Sequence, residues 1–383
     1  MKDVVSMARE HSNKRILIAL TSLCAEGTPI LVLEMCRWWC DRGIQPLVVT
    51  LNATPTDLAA EFQQLGVPIE CLDLPERGYW RYGQMMAGFY RLSRQFQPDA
   101  VLSMPCGWHT FIAYGARLAG VRQIAAHVGN YPAYWTGSAF RKFRLEVQLG
   151  RPVTNKLICC SHYIRKGAIE HFGVQDSETV TVYNGCPVEN LTNSLSLAEQ
   201  QKQGNPLTIG MVARLEAHKD HPTLIRAARL LKERGLVFKI QLIGEGSRRA
   251  EYEALIHDEQ VEDCVQLLGM RRDIPKLLGE MDIFVFSAKP DEGLGVALIE
   301  AMAAGVPVIA TAVGACCEVL DEGQLGILVP PEAPQHMADA IYRIAKNLEE
   351  AQVWVNKAKE KVLREFTIEK MAHEYARYLS LVA

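Results

Sequence analysis

At 383 residues the chain is too long for one ordinary hydrophobic core, so we expect two domains. Hydrophobic residues make up 49% of the chain and charged residues 22%, which is typical of a soluble globular protein. The net charge of -3 gives no reason to expect nucleic-acid binding, and the sequence has no run of about 18 apolar residues that would span a membrane.

The eleven cysteines have neither the spacing of a metal site nor that of a secreted disulfide framework. We interpret them as reduced thiols that act as small core residues, which predicts a cytoplasmic location. Residues 1–14 are polar and mixed in charge and lack the apolar segment of a signal peptide.

Short apolar strands alternate with helical patterns along the chain. The first half predicts strands at 15–20, 45–50, 67–72, 99–103 and 121–127 and helices at 29–42, 55–65, 82–96 and 109–119. A polar stretch at 187–206 is predicted to be a linker. The second half predicts strands at 207–212, 237–243, 264–268 and 282–287 and helices at 222–234, 248–257, 273–279 and 295–304. This alternation indicates an α/β fold of two doubly wound, Rossmann-like domains, at 1–190 and 204–360, facing across a cleft.

An acidic glycine loop, Asp291-Glu-Gly-Leu-Gly295, joins the last of these strands to its helix. The two glycines let the backbone approach a ligand closely, and the helix N-terminus behind them offers N–H groups and a positive dipole end. The loop therefore predicts a phosphate-binding site.

Two carboxylates flank this loop, because the helix rises about 7–8 Å between Gly295 and Glu300 while Glu292 precedes it. A ligand with a hydroxyl-rich group on each side of a diphosphate fits that spacing, and a nucleotide sugar is such a ligand. The alternative for each glutamate is an ordinary solvated carboxylate, which the apolar neighbours of Glu300 disfavour.

Two basic residues follow the strand at 207–212, namely Arg214 and Lys219. The carboxyl ends of strands in a doubly wound domain face the ligand crevice, so both could meet one dianionic group, and we expect both at the domain surface. The alternative is a solvated basic loop. Gly244-Glu-Gly246 imitates a dinucleotide fingerprint but lacks its third glycine, so we expect a tight turn lining the cleft.

Together these motifs resemble the retaining family-4 glycosyltransferases with the GT-B fold, across nearly the whole chain. The matching stretches are Ile124–His127, Asn184-Gly185, Gly210–Arg214 with Lys219, Ile243–Gly246, Leu268–Arg271, Glu292–Glu300, Gly305–Ile309, Gly314 with Glu318, and Gly326–Pro331. The sequence departs from the family pattern at Glu26-Gly27, where paired glycines are usual, and at Ala315.

The resemblance implies a role for each matched residue. Arg214 and Lys219 would hold the donor diphosphate, and Glu300 would accept hydrogen bonds from the ribose. Glu292 and the glycine loop would hold the donor sugar, Met270 and Arg271 would meet the base, and the carbonyl or ring of His127 would lie near the anomeric carbon. The expected catalytic residues are His127, Arg214, Lys219 and Glu292. The expected donor-binding residues are Gly27, Gly244, Met270, Arg271, Gly293, Leu294, Gly295, Val296 and Glu300.

The resemblance also implies the reaction. A hexose-type sugar would pass with retention from a nucleoside diphosphate sugar to a glycan or lipid-linked acceptor, in polysaccharide or glycolipid synthesis, without a metal or a cofactor. We favour UDP as the carrier, with GDP as the alternative. The first domain would bind the acceptor, and a last helix at about 361–383 would pack back on it. The two rival functions are a nucleotide-sugar epimerase or isomerase and a non-catalytic nucleotide-sugar binder.

Aromatic and basic residues are mixed in two stretches of the first half. They are Arg77 to Tyr82, with Met85, Met86, Phe89, Arg91 and Arg94, and then Tyr131, Tyr134, Trp135, Phe140 to Arg144, and Arg151. Rings beside cations suit an anionic membrane surface or a lipid-linked acceptor, which would place the protein at the inner face of the membrane. The alternative is that the aromatics face the core and the cations are ordinary solvated charges.

Overall fold

The structure, a computed structural model, describes residues 13–104, 106–130, 137–192 and 206–382. The chain forms two compact units. Unit 1 runs to Gly185 and resumes at Ile368, and unit 2 spans Cys186–Thr367. Of the predicted linker at 187–206, the first part is helical and residues 193–205 lie outside the described residues.

Unit 1 is built on a parallel sheet which, over the described residues, has seven strands in the order β3-β2-β1-β4-β5-β6-β7. Its strands are β1 Arg15–Leu20, β2 Gln45–Thr50, β3 Ile69–Cys71, β4 Ala100–Ser103, β5 Gln123–Val128, β6 Lys156–Cys159 and β7 Thr179–Thr181. Ile16 and Ile18 of β1 pack into one core cluster, and Leu17 and Ala19 pack into another. Because side chains alternate along a strand, the sheet is covered on both faces, as a doubly wound fold requires.

Helices cover the two faces of this sheet. They are α1 Gly27–Cys40, α2 Ala59–Gln64, α3 Trp80–Phe96, α4 His109–Leu118, α5 Gly137–Gly150 and α6 His162–Gly167. Residues of α1 such as Leu31, Met35 and Trp39 join the cluster of Ile16, whereas α3 and α4 supply the opposite cluster.

Unit 2 repeats the plan with a parallel sheet of six strands within its described part, in the order β10-β9-β8-β11-β12-β13. Its strands are β8 Leu207–Val212, β9 Phe238–Ile243, β10 Val265–Gly269, β11 Ile283–Phe286, β12 Val308–Thr311 and β13 Ile327–Val329. Its helices are α7 Val188–Thr192, α8 His221–Glu233, α9 Arg249–Asp258, α10 Ile274–Glu280, α11 Val296–Ala303, α12 Gly314–Val319, α13 Pro334–Lys346 and α14 Leu348–Glu365.

Helix α8 shows why these segments fold as they do. Pro222 stands in the first turn, where a missing N–H costs nothing. Leu224, Ile225, Ala228 and Leu231 recur at helical spacing and are fully buried against the sheet.

The last helix, α15 Ile368–Tyr378, belongs to unit 1. It packs against α1, and the Trp39 indole N–H donates a hydrogen bond of 3.0 Å to the carbonyl oxygen of Ala372. Met371, Ala372 and Tyr375 are buried in the same cluster as Ile16. None of the described helices is long and apolar enough to cross a bilayer.

The predicted fold class, α/β with two Rossmann-like parallel sheets, is confirmed. Each strand predicted from the sequence is present, with bounds shifted by at most two residues. Several elements were not predicted, namely β6, β7, β12, β13, α5, α6, α12, α13 and α14. The four strands among them have only three or four residues, too few to show a period.

Candidate functional site

Lys219 and Glu292 form an ion pair at the carboxyl-terminal edge of the unit 2 sheet. Lys219 lies in the loop between β8 and α8, Glu292 lies in the loop between β11 and α11, and Lys219 Nζ donates a hydrogen bond to Glu292 Oε2. Their side chains are only 15% and 10% exposed. The expectation that Lys219 lies at the domain surface is therefore wrong, because a carboxylate rather than water balances its charge.

The pair fixes the charge state of its carboxylate. Burial raises the pKa of the Glu292 carboxyl, but the charge and hydrogen bond of Lys219, together with His218 and the Gly293 N–H, lower it more, so the pKa lies below its usual value. Burial and Lys219 lower the pKa of the neighbouring His218, although Asp291 and Glu292 oppose that shift. At neutral pH the site therefore holds a cation and an anion beside a neutral imidazole.

Phe286 supports both the lysine and the glycine loop. The Lys219 Nζ atom lies 5.1 Å from the centre of the Phe286 ring, within cation–π range. Gly295, the N-cap of α11, has a φ of 82°. A Cβ there would lie 3.0 Å from Phe286 Cε1, so the loop needs glycine for both its conformation and its closeness to the ring. Gly293 and Leu294 are buried, and Val296, half-buried, begins the helix.

Residues beyond the sequence motif hold Lys219 in place. The fully buried His221 donates from Nδ1 to the Lys219 carbonyl oxygen and stacks on Tyr252, with ring centres 5.0 Å apart. Burial lowers the pKa of His221 to about 4, so the ring is neutral. Asp220 accepts hydrogen bonds from the hydroxyls of Thr223, at 2.6 Å, and Ser287, at 3.3 Å, which ties this loop to the end of β11.

Glu300 lies on α11, half-buried beside the core residues Ile299 and Ala301. Burial raises the pKa of its carboxyl to about 7. Over the described ranges of the chain, no group donates a hydrogen bond to this carboxylate or forms an ion pair with it. A half-buried acceptor without a partner is suited to a ligand hydroxyl.

Gly244 is needed for the close approach of two loops. Its φ is 144°, and a Cβ would lie 2.1 Å from the carbonyl oxygen of Ala213. The amide of Leu215 donates to the carbonyl of Glu245 at 2.9 Å, so the two loops are joined along their backbones. The turn at Gly244 thereby fixes the path of the chain through Arg214, whose side chain is exposed.

Three other predicted donor-binding residues are solvent-exposed. Met270, after β10, is 60% exposed, and Arg271 beside it forms two hydrogen bonds of 2.8 and 2.6 Å with Asp273. Gly27 lies in unit 1, at the start of α1, and a Cβ there would have no atom within 4 Å. The structure thus groups Lys219, Glu292 and the glycine loop in one contact network, and leaves Met270 and Arg271 at the surface of unit 2.

His127 is the next-to-last residue of β5 in unit 1 and is 4% exposed. Its Nδ1 atom lies 2.8 Å from the hydroxyl of Tyr375 on α15. Burial lowers the pKa of the imidazole to about 4, so the ring is neutral at physiological pH.

The family profile of glycosyltransferase family 4 matches residues 25–190, and that of the glycosyl transferases group 1 matches residues 195–361. The chain belongs to the family-4 glycosyltransferases.

Curated relatives of this family-4 glycosyltransferase include enzymes named for polysaccharide synthesis. The amylovoran biosynthesis glycosyltransferase AmsK of Erwinia amylovora is 32% identical over 214 residues, which span 52% of this chain and 53% of that protein. The chain thus matches about half the length of that relative. The putative glycosyltransferase EpsF of Bacillus subtilis is 28% identical over 309 residues, spanning 78% of this chain and 79% of EpsF.

Solved structures show the same fold. HepE of Anabaena in complex with UDP and glucose superposes with a TM-score of 0.82 at 21% identity, covering 97% of this chain and all of that one. Sucrose-phosphate synthase of Thermosynechococcus elongatus gives a TM-score of 0.78 at 17% identity, covering 95% and 98% of the two chains.

Sequence reasoning on this glycosyltransferase missed Asp220, His221, Phe286 and Tyr375. Asp220 and His221 adjoin Lys219, and their position at the start of a helix was the one signal that could have pointed to them. Among the described residues, no group of three or more histidine, cysteine or acidic side chains is placed to hold a metal ion.

Proposed function

We propose that this chain transfers a hexose-type sugar, with retention at the anomeric carbon, from a nucleoside diphosphate sugar to a glycan or lipid-linked acceptor. The observation that carries the proposal is the buried Lys219–Glu292 pair beside the Gly293–Gly295 loop. It offers a cation and helix N–H groups for a diphosphate together with a carboxylate for sugar hydroxyls.

The family resemblance suggests the remaining donor contacts of this proposal. Arg214 and Lys219 bind the diphosphate, and Glu292 with the backbone of the glycine loop binds the sugar. Glu300, whose carboxylate has no partner in the described structure, accepts hydrogen bonds from the ribose. Met270 and Arg271 lie beside the base. We favour UDP, because HepE, which has the same fold, has been crystallised with UDP and with UDP-glucose.

In this mechanism the leaving diphosphate takes the proton of the acceptor hydroxyl on the face from which the sugar departs. The charge that develops on the diphosphate is stabilised by Lys219 and by the α11 N-terminus. His127 lies near the anomeric carbon but is not the base, because burial lowers its pKa to about 4. Glu26, exposed at the N-cap of α1, is the remaining carboxylate candidate on the acceptor side.

The decisive experiment incubates the protein with UDP-, GDP- and ADP-sugars and measures released nucleoside diphosphate. Release with one nucleotide class supports transfer or its hydrolytic side reaction, and the anomeric configuration of the product, read by NMR, tests retention. An altered sugar on an intact nucleotide would identify an epimerase or isomerase. Binding without any chemical change would identify a non-catalytic binder.

The acceptor side of the proposal includes an anionic membrane surface. The predicted aromatic and basic stretches divide in the structure. Met85, Phe89 and Phe143 are buried, as the core alternative predicts, and Arg151 forms an ion pair with Glu178. Tyr131, Tyr134 and Trp135 lie outside the described residues. Tyr79, Trp80, Met86, Arg141, Lys142 and Arg144 are exposed.

The exposed residues include rings at the start of α3 and cations on α5. Tyr79 and Trp80 are 87% and 86% exposed, and Leu145 and Leu149 are exposed on α5 beside Arg144. The Lys142 ammonium donates to the Tyr82 hydroxyl at 3.1 Å and so links the two helices. An anionic membrane binds surfaces of this kind, because the rings and leucines enter the headgroup region while the neighbouring cations contact lipid phosphate.

Sedimentation with vesicles tests this surface. The protein should pellet with anionic vesicles at low salt and be released as salt rises. Replacing Arg141, Lys142 and Arg144 by Glu should abolish pelleting while donor hydrolysis persists. The same charge reversal at Arg226, Arg229 and Lys232, exposed on α8 of unit 2, is the matched control. Equal recovery in the supernatant with neutral and anionic vesicles would rule the membrane surface out.

A further inference from the structure

A hydrogen bond between distant parts of the chain determines the state of His127. The Tyr375 hydroxyl of α15 lies 2.8 Å from His127 Nδ1, although 248 residues separate the two. Tyr375 is fully buried, and Met371, Ala372 and Ala376 of the same helix pack with it into the unit 1 core. The ring of His127 is therefore held by an element from the far end of the sequence.

The direction of this bond follows from counting donors. Burial raises the pKa of the Tyr375 phenol, so the hydroxyl keeps its proton. Within the described residues, His127 Nδ1 is the one hydrogen-bond partner of that hydroxyl. If Nδ1 donated instead, the phenol proton would be buried without an acceptor, which costs about 1–3 kcal/mol. The hydroxyl therefore donates and Nδ1 accepts.

The other ring nitrogen is then a donor. A neutral imidazole carries one proton, and since Nδ1 accepts, the proton is on Nε2. A Cβ on Gly129 would lie 2.9 Å from Nε2, so the glycine leaves open the space that a side chain would occupy. No residue of the described structure accepts a hydrogen bond from Nε2. The ring thus presents an N–H group toward the space beside Gly129.

We propose that Tyr375 is a positioning residue that fixes His127 as the Nε2–H tautomer, which makes the imidazole a hydrogen-bond donor. On the proposed function, on which this second step rests, the N–H group binds a hydroxyl oxygen of the donor sugar. The leaving diphosphate then remains the acceptor of the proton that the reaction releases. The C-terminal helix thereby orients the imidazole of His127 within unit 1.

The tautomer can be measured without any substrate. In protein labelled with ¹⁵N-histidine, two-bond ¹H–¹⁵N spectra distinguish a protonated ring nitrogen from an unprotonated one, and His127→Gln identifies the signals among ten histidines. We expect His127 to show a protonated Nε2 and an unprotonated Nδ1. In Tyr375→Phe the two nitrogens should shift toward each other, because the bond that selects one tautomer is lost. Tyr114→Phe, which removes another unit 1 phenol hydrogen bond, of 3.0 Å to Leu149, should leave them unchanged.

A protonated Nδ1 in the wild-type protein would overturn the proposal, and so would an unchanged tautomer in a folded Tyr375→Phe variant. Because the wild-type spectrum is decisive by itself, a variant that fails to fold does not remove the test. With the nucleotide sugar that releases diphosphate in the panel above, kcat of Tyr375→Phe should fall about tenfold with KM little changed. An unchanged kcat would overturn the positioning role. If no nucleotide sugar is consumed, the proposed function fails while the spectra still decide the tautomer.

Discussion

The six strands of the unit 2 sheet follow the same order as the first six of the unit 1 sheet, but the loops after equivalent strands carry different charged residues. Strands β1 and β4 of unit 1 correspond in order to β8 and β11 of unit 2. After β8 and β11 come Arg214, Lys219 and Glu292. The loop after β1 has Glu26 as its single charge, and residues 104–108 after β4 have none. A shared topology therefore does not give the two units the same loop chemistry, and the charges on which the proposed phosphate site depends lie in the loops of unit 2.

The supporting contacts differ in the same way. In unit 2 an ion pair with Glu292 and the ring of Phe286 hold Lys219. In unit 1 a neutral hydrogen bond from Tyr375 holds His127. The first arrangement suits a charged diphosphate and the second suits the hydroxyl groups of a sugar.

Removing the unit 2 cation should have the largest effect. Lys219→Ala should lower kcat about 10²–10³-fold, because charge on the leaving diphosphate loses a fixed partner. It should also lower the melting temperature, since Glu292 is left buried and unpaired. Arg214→Ala should lower kcat without that loss of stability, because its side chain is exposed. Steady-state kinetics and thermal unfolding measure both effects.

Lys232→Ala, at an exposed lysine of α8 paired with Asp263, is the control and should change neither value. Wild-type turnover of Lys219→Ala would contradict the proposal that the charged loops of unit 2 bind the diphosphate.

Replacing one glycine in each unit should change the free energy of unfolding by different amounts. Gly244→Ala should reduce the free energy of unfolding by about 2–3 kcal/mol, because the new Cβ meets the Ala213 carbonyl and the φ of 144° is strained. Gly27→Ala should be nearly neutral, because no atom lies within 4 Å of its Cβ. Urea unfolding of both variants measures this difference. Equal losses of unfolding free energy would show that the structure around Gly244 accommodates a Cβ.

The two glutamates of unit 2 should affect different parts of the ligand. Glu300→Gln should weaken binding of both UDP and the intact nucleotide sugar about tenfold, because it loses a charged hydrogen bond to the ribose. Glu292→Gln should spare UDP and weaken the nucleotide sugar, because it addresses the sugar. Calorimetry with the two ligands makes the comparison. The same loss for both ligands in both variants would contradict the division.

Glu300 should also make the stability of unit 2 depend on pH. Its pKa is about 7 in the folded chain against the usual 4.5. Between these values the folded chain keeps a proton that the unfolded chain has released, so stability falls as pH rises and levels off above 7. The melting temperature of Glu300→Gln minus that of the wild type should thus rise by roughly 2–4 °C between pH 5 and pH 8. A constant difference across that range in thermal scans would count against the burial of this carboxyl.

The sequence predicts the fold better than it predicts the contacts of the site. Long apolar strands such as 15–20 and 207–212 show their pattern, and parallel strands bring their carboxyl ends to one edge, so Arg214, Lys219 and Glu292 could be grouped in advance. The three residues of β7 show no pattern. The burial of Lys219 depends on a partner 73 residues away, and the bond of His127 on one 248 residues away. Pairings of that kind arise only when the chain is folded.

The path of the chain sets an order of events during synthesis. Unit 2 is complete once Thr367 has been made, whereas the core of unit 1 still lacks Ile368, Met371 and Tyr375. Because the N-terminal residues are synthesised first, the surface around Trp39 stays uncovered while more than 180 further residues are added. Translation that stopped near residue 367 would leave unit 2 folded while apolar residues of unit 1 around Trp39 stayed uncovered. Such a product would expose apolar surface, which chaperones and proteases recognise.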